Sequence, residues 1–144
     1  MARAPRIRIR RAVDADVPQI QGLDRLCFPS DSPGYDVEAV WWCARTVRED
    51  VVGFAAIRAS QQWSGVGYLN RCGVHDAWRG LGLQKRLLRA RETYARQQGW
   101  SYLVTDTTPE NTASANNLIR AGFTLYQPRH PWGLRRALYW IKAI

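Results

Sequence analysis

A chain of 144 residues fits one compact domain, here residues 1–144, with a substantial core, and is too short for two ordinary domains. A hydrophobic fraction of 46%, with seven Trp and six Tyr, excludes a disordered chain, and no apolar run approaches the roughly 20 residues of a membrane span. The net charge of +9 attracts anions, whether nucleic acid, an acidic protein surface or a phosphorylated cofactor, and does not choose among them.

The opening MARAPRIRIRRAV carries arginines but no apolar segment or cleavage-like site, so neither a secretory signal nor a lipid anchor is read and the cytoplasm is expected. Within it, RIRIRRAV alternates Arg6, Arg8 and Arg10 against Ile7 and Ile9, the pattern of a half-buried strand. DADVPQIQGLDRLCF reads as a helix capped by Asp14 or Asp16, with Pro18 in its first turn and Ile20, Leu23 and Leu26 or Cys27 on one face. PSDSPGYD is a loop by composition, able to run into a short helix, and long enough to suggest a binding surface. VWWCARTV, REDVVGFAAIRAS and GVGYLNRCGVH follow as an antiparallel meander. Arg79 to Gln98 carries Leu83, Leu87, Ala90 or Arg91, and Tyr94 at helical spacing, closed by Gly99. WSYLVTD is a buried strand, TASANNLIRA a helix ended by Gly122, and FTLY and RALYWIKAI two last strands separated by QPRHPWG. The order predicts an α/β (mixed α+β) fold with a mixed sheet flanked by helices. Cys27, Cys43 and Cys72 are odd in number and widely spaced, without a CxxC and with only two histidines, so neither a disulfide framework nor a metal site is expected.

The stretch WRGLGLQKRLLRARE holds the main chemical signal. A helix N-terminus already carries partial positive charge, so Arg79, Lys85 and Arg86 at its start are locally unfavourable unless an anion is bound. Gly80 and Gly82 allow backbone to approach a ligand closely, and the N–H groups of Arg79 to Lys85 then point at phosphate oxygens. On its own, such a glycine pair is also what a tight turn beside a solvated basic face looks like.

The segment GVHDAWRGLGLQKRLL resembles the Q/R-x-x-G-x-G/A pyrophosphate loop of the GNAT superfamily of N-acetyltransferases, and NTASANNLIRAGF is similar to that family's N-x-x-[AS] to G-F helix. The resemblance spans about Arg6 to Lys142 and is strongest between Tyr68 and Phe123. It implies a central, mostly antiparallel sheet of about seven strands with three to four helices, acetyl-CoA as cosubstrate and no metal. It further implies that Arg79, Gly80, Leu81, Gly82, Leu83, Gln84 and Lys85 hold the coenzyme A pyrophosphate, that Cys72, Gly73 and Val74 bind the pantetheine arm and acetyl oxygen through their backbone, and that Asn111 touches the cofactor. Gly73 suits a bulge there. Two positions depart from the pattern. Gln84 stands where Gly or Ala is usual, and Leu118 where many members carry a tyrosine that protonates the leaving thiolate.

Acyl transfer to an amine needs a base and benefits from a proton donor for the sulfur. By the resemblance, Asp106 matches a catalytic glutamate of the ribosomal-protein acetylating branch; as a residue alone, it equally suits capping of the turn TDTTPEN. Asn111 similarly suits a helix cap. Tyr126 or Tyr139 can replace the missing acid, although aromatic residues in terminal strands also build cores. Cys72 and His75, three apart on a strand, face opposite sides and do not form a nucleophilic pair. The expectation is an acetyl-CoA-dependent N-acetyltransferase acting directly on an amine, small molecule or peptide, as a monomer or homodimer, with candidate acceptor loops at Pro29 to Asp36 and Gln127 to Leu134. The alternatives are an acyl-CoA-binding module without turnover and a basic nucleic-acid-binding protein resting on the arginines from Arg3 to Arg11, which lacks any helix-turn-helix, zinc or RNP signature.

Overall fold

A computed structural model describes residues 5–32, 34–134 and 136–144; Arg3 and Pro33, which the expectations above include, lie outside them. The elements are β1 (Ile7–Arg11), α1 (Val17–Cys27), β2 (Val40–Thr46), β3 (Val51–Ala59), β4 (Val66–Val74), α2 (Leu83–Gln97), β5 (Tyr102–Thr107), α3 (Thr112–Arg120), β6 (Thr124–Tyr126) and β7 (Leu138–Ala143). Short 3₁₀ turns over Asp14–Asp16 and Asp76–Trp78 precede α1 and α2. The seven strands take the order β1-β2-β3-β4-β5-β7-β6. β4 and β5 are parallel, while β1–β2, β2–β3, β5–β7 and β6–β7 are antiparallel. This is the mixed, mostly antiparallel fold that the sequence predicts. Contacts group the chain into two units, one running to Arg58 and resuming over Asn70–Arg91, the other comprising Ala59–Leu69 and Glu92–Ile144.

In the first unit Ile20, Leu23, Trp41, Cys43, Phe54 and Ala56 form a buried cluster. The apolar stripe of α1 runs through Ile20, Leu23 and half-buried Cys27, and Leu26 is 70% exposed, which settles the pair left open by spacing alone. The expected cap is corrected: neither the Asp14 nor the Asp16 side chain caps α1. Asp16 is buried, accepts the Val13 N–H at 2.8 Å and pairs with Arg10 at 3.3 Å and with Arg45. A carboxylate removed from water needs such cationic partners more than a helix end needs a cap. Among the described residues, the loop after α1 runs into no helix. Asp36 accepts the Glu38 N–H at 2.9 Å on its carboxylate and the Trp41 indole N–H at 2.8 Å on its carbonyl, turning the chain directly into β2.

In the second unit the strand registers sort the side chains. Val66 and Tyr68 pair with Tyr102 and Val104, Asp106 pairs with Tyr139, and Tyr139 pairs with Tyr126. Alternation then places Val66, Tyr68, Tyr102, Val104, Asp106, Tyr126, Tyr139 and Ile141 on one face. Lys142, on the opposite face, pairs with Glu92 of α2 and passes the point where Gly122 ends α3, a Cβ there meeting its Cε at 3.4 Å. The helical segments of this unit therefore lie on the Lys142 face. Gly99 and Gly122 end the two helices with φ of 78° and 95°, the left-handed conformation that sequence reading assigned to them.

Candidate functional site

In the first unit, β4 ends at Val74 and the chain makes a 3₁₀ turn before the glycine loop opens α2. Gly80 and Gly82 have φ of 78° and 74°, and a Cβ built at either meets no atom within 4 Å. Two left-handed glycines with open space beside them form a cradle that side chains would both strain and fill. The first helical bond runs from the Arg86 N–H to the Gly82 carbonyl at 3.1 Å, so the preceding N–H groups have no intrahelical acceptor. No acidic residue occupies the first turn of α2. The loop's donors and the macrodipole therefore point at whatever anion enters.

The basic residues around the loop divide their work. Arg79 is exposed, pairs with Asp76 at 3.0 Å and directs Nε at the Val74 carbonyl, 3.4 Å away. Arg86 donates to the Ile7 carbonyl at 2.9 Å. Lys85 is exposed and forms no ion pair among the described residues. Leu83 is buried at 2% exposure, so its backbone alone faces the loop, and exposed Leu81 flanks it; Gln84 is half-buried. At the strand end, Val74 is buried and its carbonyl accepts from the Cys27 thiol at 3.7 Å. Gly73 has a packing reason beyond the expected bulge: a Cβ there would come within 2.8 Å of the Phe54 ring. Burial pushes the Cys72 thiol up, away from a nucleophilic thiolate. His75 is engaged elsewhere, its Nδ1 accepting the Ala77 N–H at 3.1 Å.

In the second unit, Asp106 accepts a hydrogen bond from the Tyr68 hydroxyl at 2.7 Å. Burial, and then the Asp106 carboxylate, push the Tyr68 phenol well above its ordinary value, which keeps it a donor. A Cβ at Gly133 would lie 3.1 Å from Asp106 Oδ2 and 3.2 Å from the Tyr139 hydroxyl, so the glycine leaves room beside the carboxylate. The Gly133 N–H in turn donates to the Tyr139 hydroxyl at 3.1 Å. Trp132 is the hub of an aromatic cluster, with ring centroids 4.7 Å from Tyr139, 5.6 Å from Trp63, 6.3 Å from Tyr126 and 6.5 Å from Tyr68. The Tyr126 hydroxyl is buried without a partner among the described residues, and burial, then Tyr139, push its phenol up to about 12. Asn111 is exposed and caps α3, its side-chain oxygen accepting the Ser114 N–H at 3.1 Å, while Leu118 is half-buried on the same helix.

The fold thus places Asp106, Tyr126 and Tyr139 in one row across β5, β7 and β6 and gives Asp106 a tyrosine partner that sequence reasoning missed. Tyr68 was visible only as a residue of a meander strand, because its partner is set by the parallel register of β4 on β5. Gly133, within the expected acceptor loop, was likewise not singled out.

The sequence model of the acetyltransferase (GNAT) family matches residues 17–123. The chain belongs to the GNAT family. The match runs through both units and contains the glycine loop, Asp106 and α3. GNAT members are acyltransferases that use acyl-CoA. No curated protein matches the chain. Among solved structures, a GNAT-family acetyltransferase from Staphylococcus aureus superposes with a TM-score of 0.80 at 13% identity, covering 96% of this chain and 99% of that one. A GNAT N-acetyltransferase from Escherichia coli, solved in complex with CoA, gives 0.77 at 21% identity over 99% and 84% of the two chains. The ribosomal-protein-S18-alanine N-acetyltransferase of Escherichia coli gives 0.75 at 15% identity over 96% and 94%. These likenesses show the shared GNAT fold.

Proposed function

We propose that this GNAT chain acts as one acetyltransferase domain that transfers an acetyl group from acetyl-CoA to a primary amine by direct attack in a ternary complex. The observation that carries the reading is the glycine loop: two left-handed glycines with clear space beside them, opening a helix with no acid in its first turn, amid Arg79 and Lys85. That donor set fits a pyrophosphate. Its N–H groups and the two cations hold the anion, and backbone of Cys72, Gly73 and Val74 orients the thioester arm. The CoA complex of the Escherichia coli relative supports the same ligand here.

Bound acetyl-CoA supplies an acyl carbon activated as a thioester. On the protein side, Asp106 takes the proton that the amine loses as its nitrogen bonds to the acyl carbon and the carbon–sulfur bond breaks. The Tyr68 hydrogen bond fixes the carboxylate for this task. Tyr126, whose hydroxyl has no partner among the described residues, supplies the proton donor that Leu118 does not. A thiolate has a conjugate acid near pKa 8.5 and leaves without full protonation, so a donor with a raised pKa suffices. Asn111 spends its side-chain oxygen on the α3 cap, leaving its amide nitrogen for the cofactor.

A screen of primary amines with acetyl-CoA, following free thiol, tests the reaction. Asp106→Asn is expected to lower kcat by about 10²-fold. Calorimetry is expected to show CoA binding to the parent and at least tenfold weaker binding to folded Gly82→Val; equal affinities would remove the loop assignment. The half-buried Leu118 favours one second reading, an acyl-CoA-binding module. CoA binding without thiol release from any amine, joined by turnover in Leu118→Tyr, would establish it.

A further inference from the structure

The face of the second unit that holds Asp106 carries a cleft of about 330 Å³, lined by Trp63, Val66, Tyr102, Val104, Tyr126 and Ile141, with Ser64 as its one small polar residue. Its size lies at the low end of ligand pockets, roughly 300–1,000 Å³. None of its lining residues is charged. That is unusual on a chain with 21 Lys and Arg, and it leaves a densely charged acceptor without charged partners in the cleft. Two large apolar side chains remain open at this wall, Trp63 at 39% and Tyr102 at 45% exposure. Exposed aromatic surface grouped around a cavity marks a place where something apolar docks.

Charge is supplied at one end only. Val104 belongs to the cleft lining, and Asp106 stands two residues further along β5 on the same face, roughly 7 Å away along the strand. Trp63 and Tyr126 line the cleft and also flank Trp132, which touches Tyr68 and Tyr139 beside the carboxylate. An ammonium group near Asp106 would meet a carboxylate and the electron-rich faces of these rings together. An apolar body in the cleft and a cation at Asp106, about two or three carbons apart, is the ligand that this arrangement complements.

We propose that the cleft selects an acceptor whose primary amine is joined by a short chain to an aromatic body. What is done to the amine rests on the acetyltransferase reading; the binding preference rests on the cleft and Asp106 alone. The probes are phenethylamine, its alcohol analogue 2-phenylethanol, and spermidine as an amine without an apolar body, each titrated into the full chain with and without CoA, by calorimetry. Phenethylamine is expected to bind at least tenfold tighter than either of the others. Asp106→Asn is expected to erase the preference for the amine over the alcohol. Trp63→Ala, a change in an exposed turn, is expected to weaken phenethylamine at least tenfold, with folding checked by circular dichroism. Spermidine binding as tightly as phenethylamine, or a folded Trp63→Ala with unchanged affinity, would overturn the proposal. Acetylation of hydrophilic amines alone would overturn it too, while leaving the acetyltransferase reading in place. Selective, Trp63-dependent binding with no thiol release from any amine would support the cleft assignment and sink the acetyltransferase reading instead.

Discussion

The bond between Tyr68 and Asp106 sets the behaviour of individual side chains. With Oδ1 held by the phenol, Oδ2 is the oxygen beside Gly133. Gly133→Ala would place a methyl 3.1 Å from it, tighter than ordinary contact and able to crowd both the carboxylate and the Tyr139 hydroxyl. Steady-state kinetics should show kcat falling by about tenfold, roughly 1.4 kcal/mol in the barrier, with CoA affinity by calorimetry unchanged. An unaltered kcat would remove Asp106 from the proton path. The phenols make a separate prediction at alkaline pH. Tyr126 is raised to about 12 and Tyr68 is raised by burial and Asp106, whereas an unfolded tyrosine titrates near 10. The folded state thus prefers the neutral phenols. Their contribution to stability is complete below pH ~10 and is lost as pH rises from there through the folded values, because the unfolded chain ionises first. Ultraviolet titration should show tyrosines still neutral well above pH 10, and Tyr126→Phe should flatten the alkaline loss of stability. Tyrosines that all ionise together near pH 10 would contradict this.

Helices and strands were legible in proportion to how local their causes are. β1 shows its alternation in five residues, and Gly99 and Gly122 stop α2 and α3 because only a glycine takes their φ cheaply. The glycine loop was equally legible, since its signal is a left-handed turn followed at once by helical spacing. Partners brought in by tertiary register were not. Asp16 looked like a cap because Arg10 and Arg45 come to it from two different strands, and Asp106 read equally as a base and as a turn cap because its partner Tyr68 lies 38 positions earlier. Arg91 is the sharpest case. At helical spacing it reads as an alternative to Ala90 on the apolar face, yet it is 5% exposed. Its guanidinium donates to the carbonyls of Ala56 at 3.2 Å, Asn70 at 3.4 Å and Leu87 at 3.4 Å, stapling the middle of α2 to β3 and β4. Burial lowers its pKa, but an arginine keeps its proton. Arg91→Met preserves the stem and strands the β3 and β4 carbonyls, so a loss of about 3 kcal/mol is expected. Urea unfolding should show a lower midpoint at the same slope, and an unchanged midpoint would mean that water satisfies those carbonyls.

For the whole molecule, the arginines of β1 have a consequence separate from any ligand. β1 ends the strand order and, among the described residues, pairs with β2 alone, and such an edge offers unpaired backbone groups to any other chain in extended form. Arg6, Arg8 and Arg11 are exposed along it, and Arg86 reaches from α2 to take the Ile7 carbonyl. At the far end of the order, β6 is only three residues long, too short to template a ladder. One edge is therefore guarded by charge and the other by brevity. Two β1 edges that meet must bring their arginines together, and this repulsion is expected to oppose edge-to-edge assembly. Replacing Arg6, Arg8 and Arg11 by threonine would leave a strand-forming segment with no such guard. Light scattering at rising protein concentration should then show growth in this variant and none in the parent, or in a control carrying three arginine substitutions elsewhere on the surface. A variant that stays as dispersed as the parent would show that the Arg86 clasp alone closes the edge.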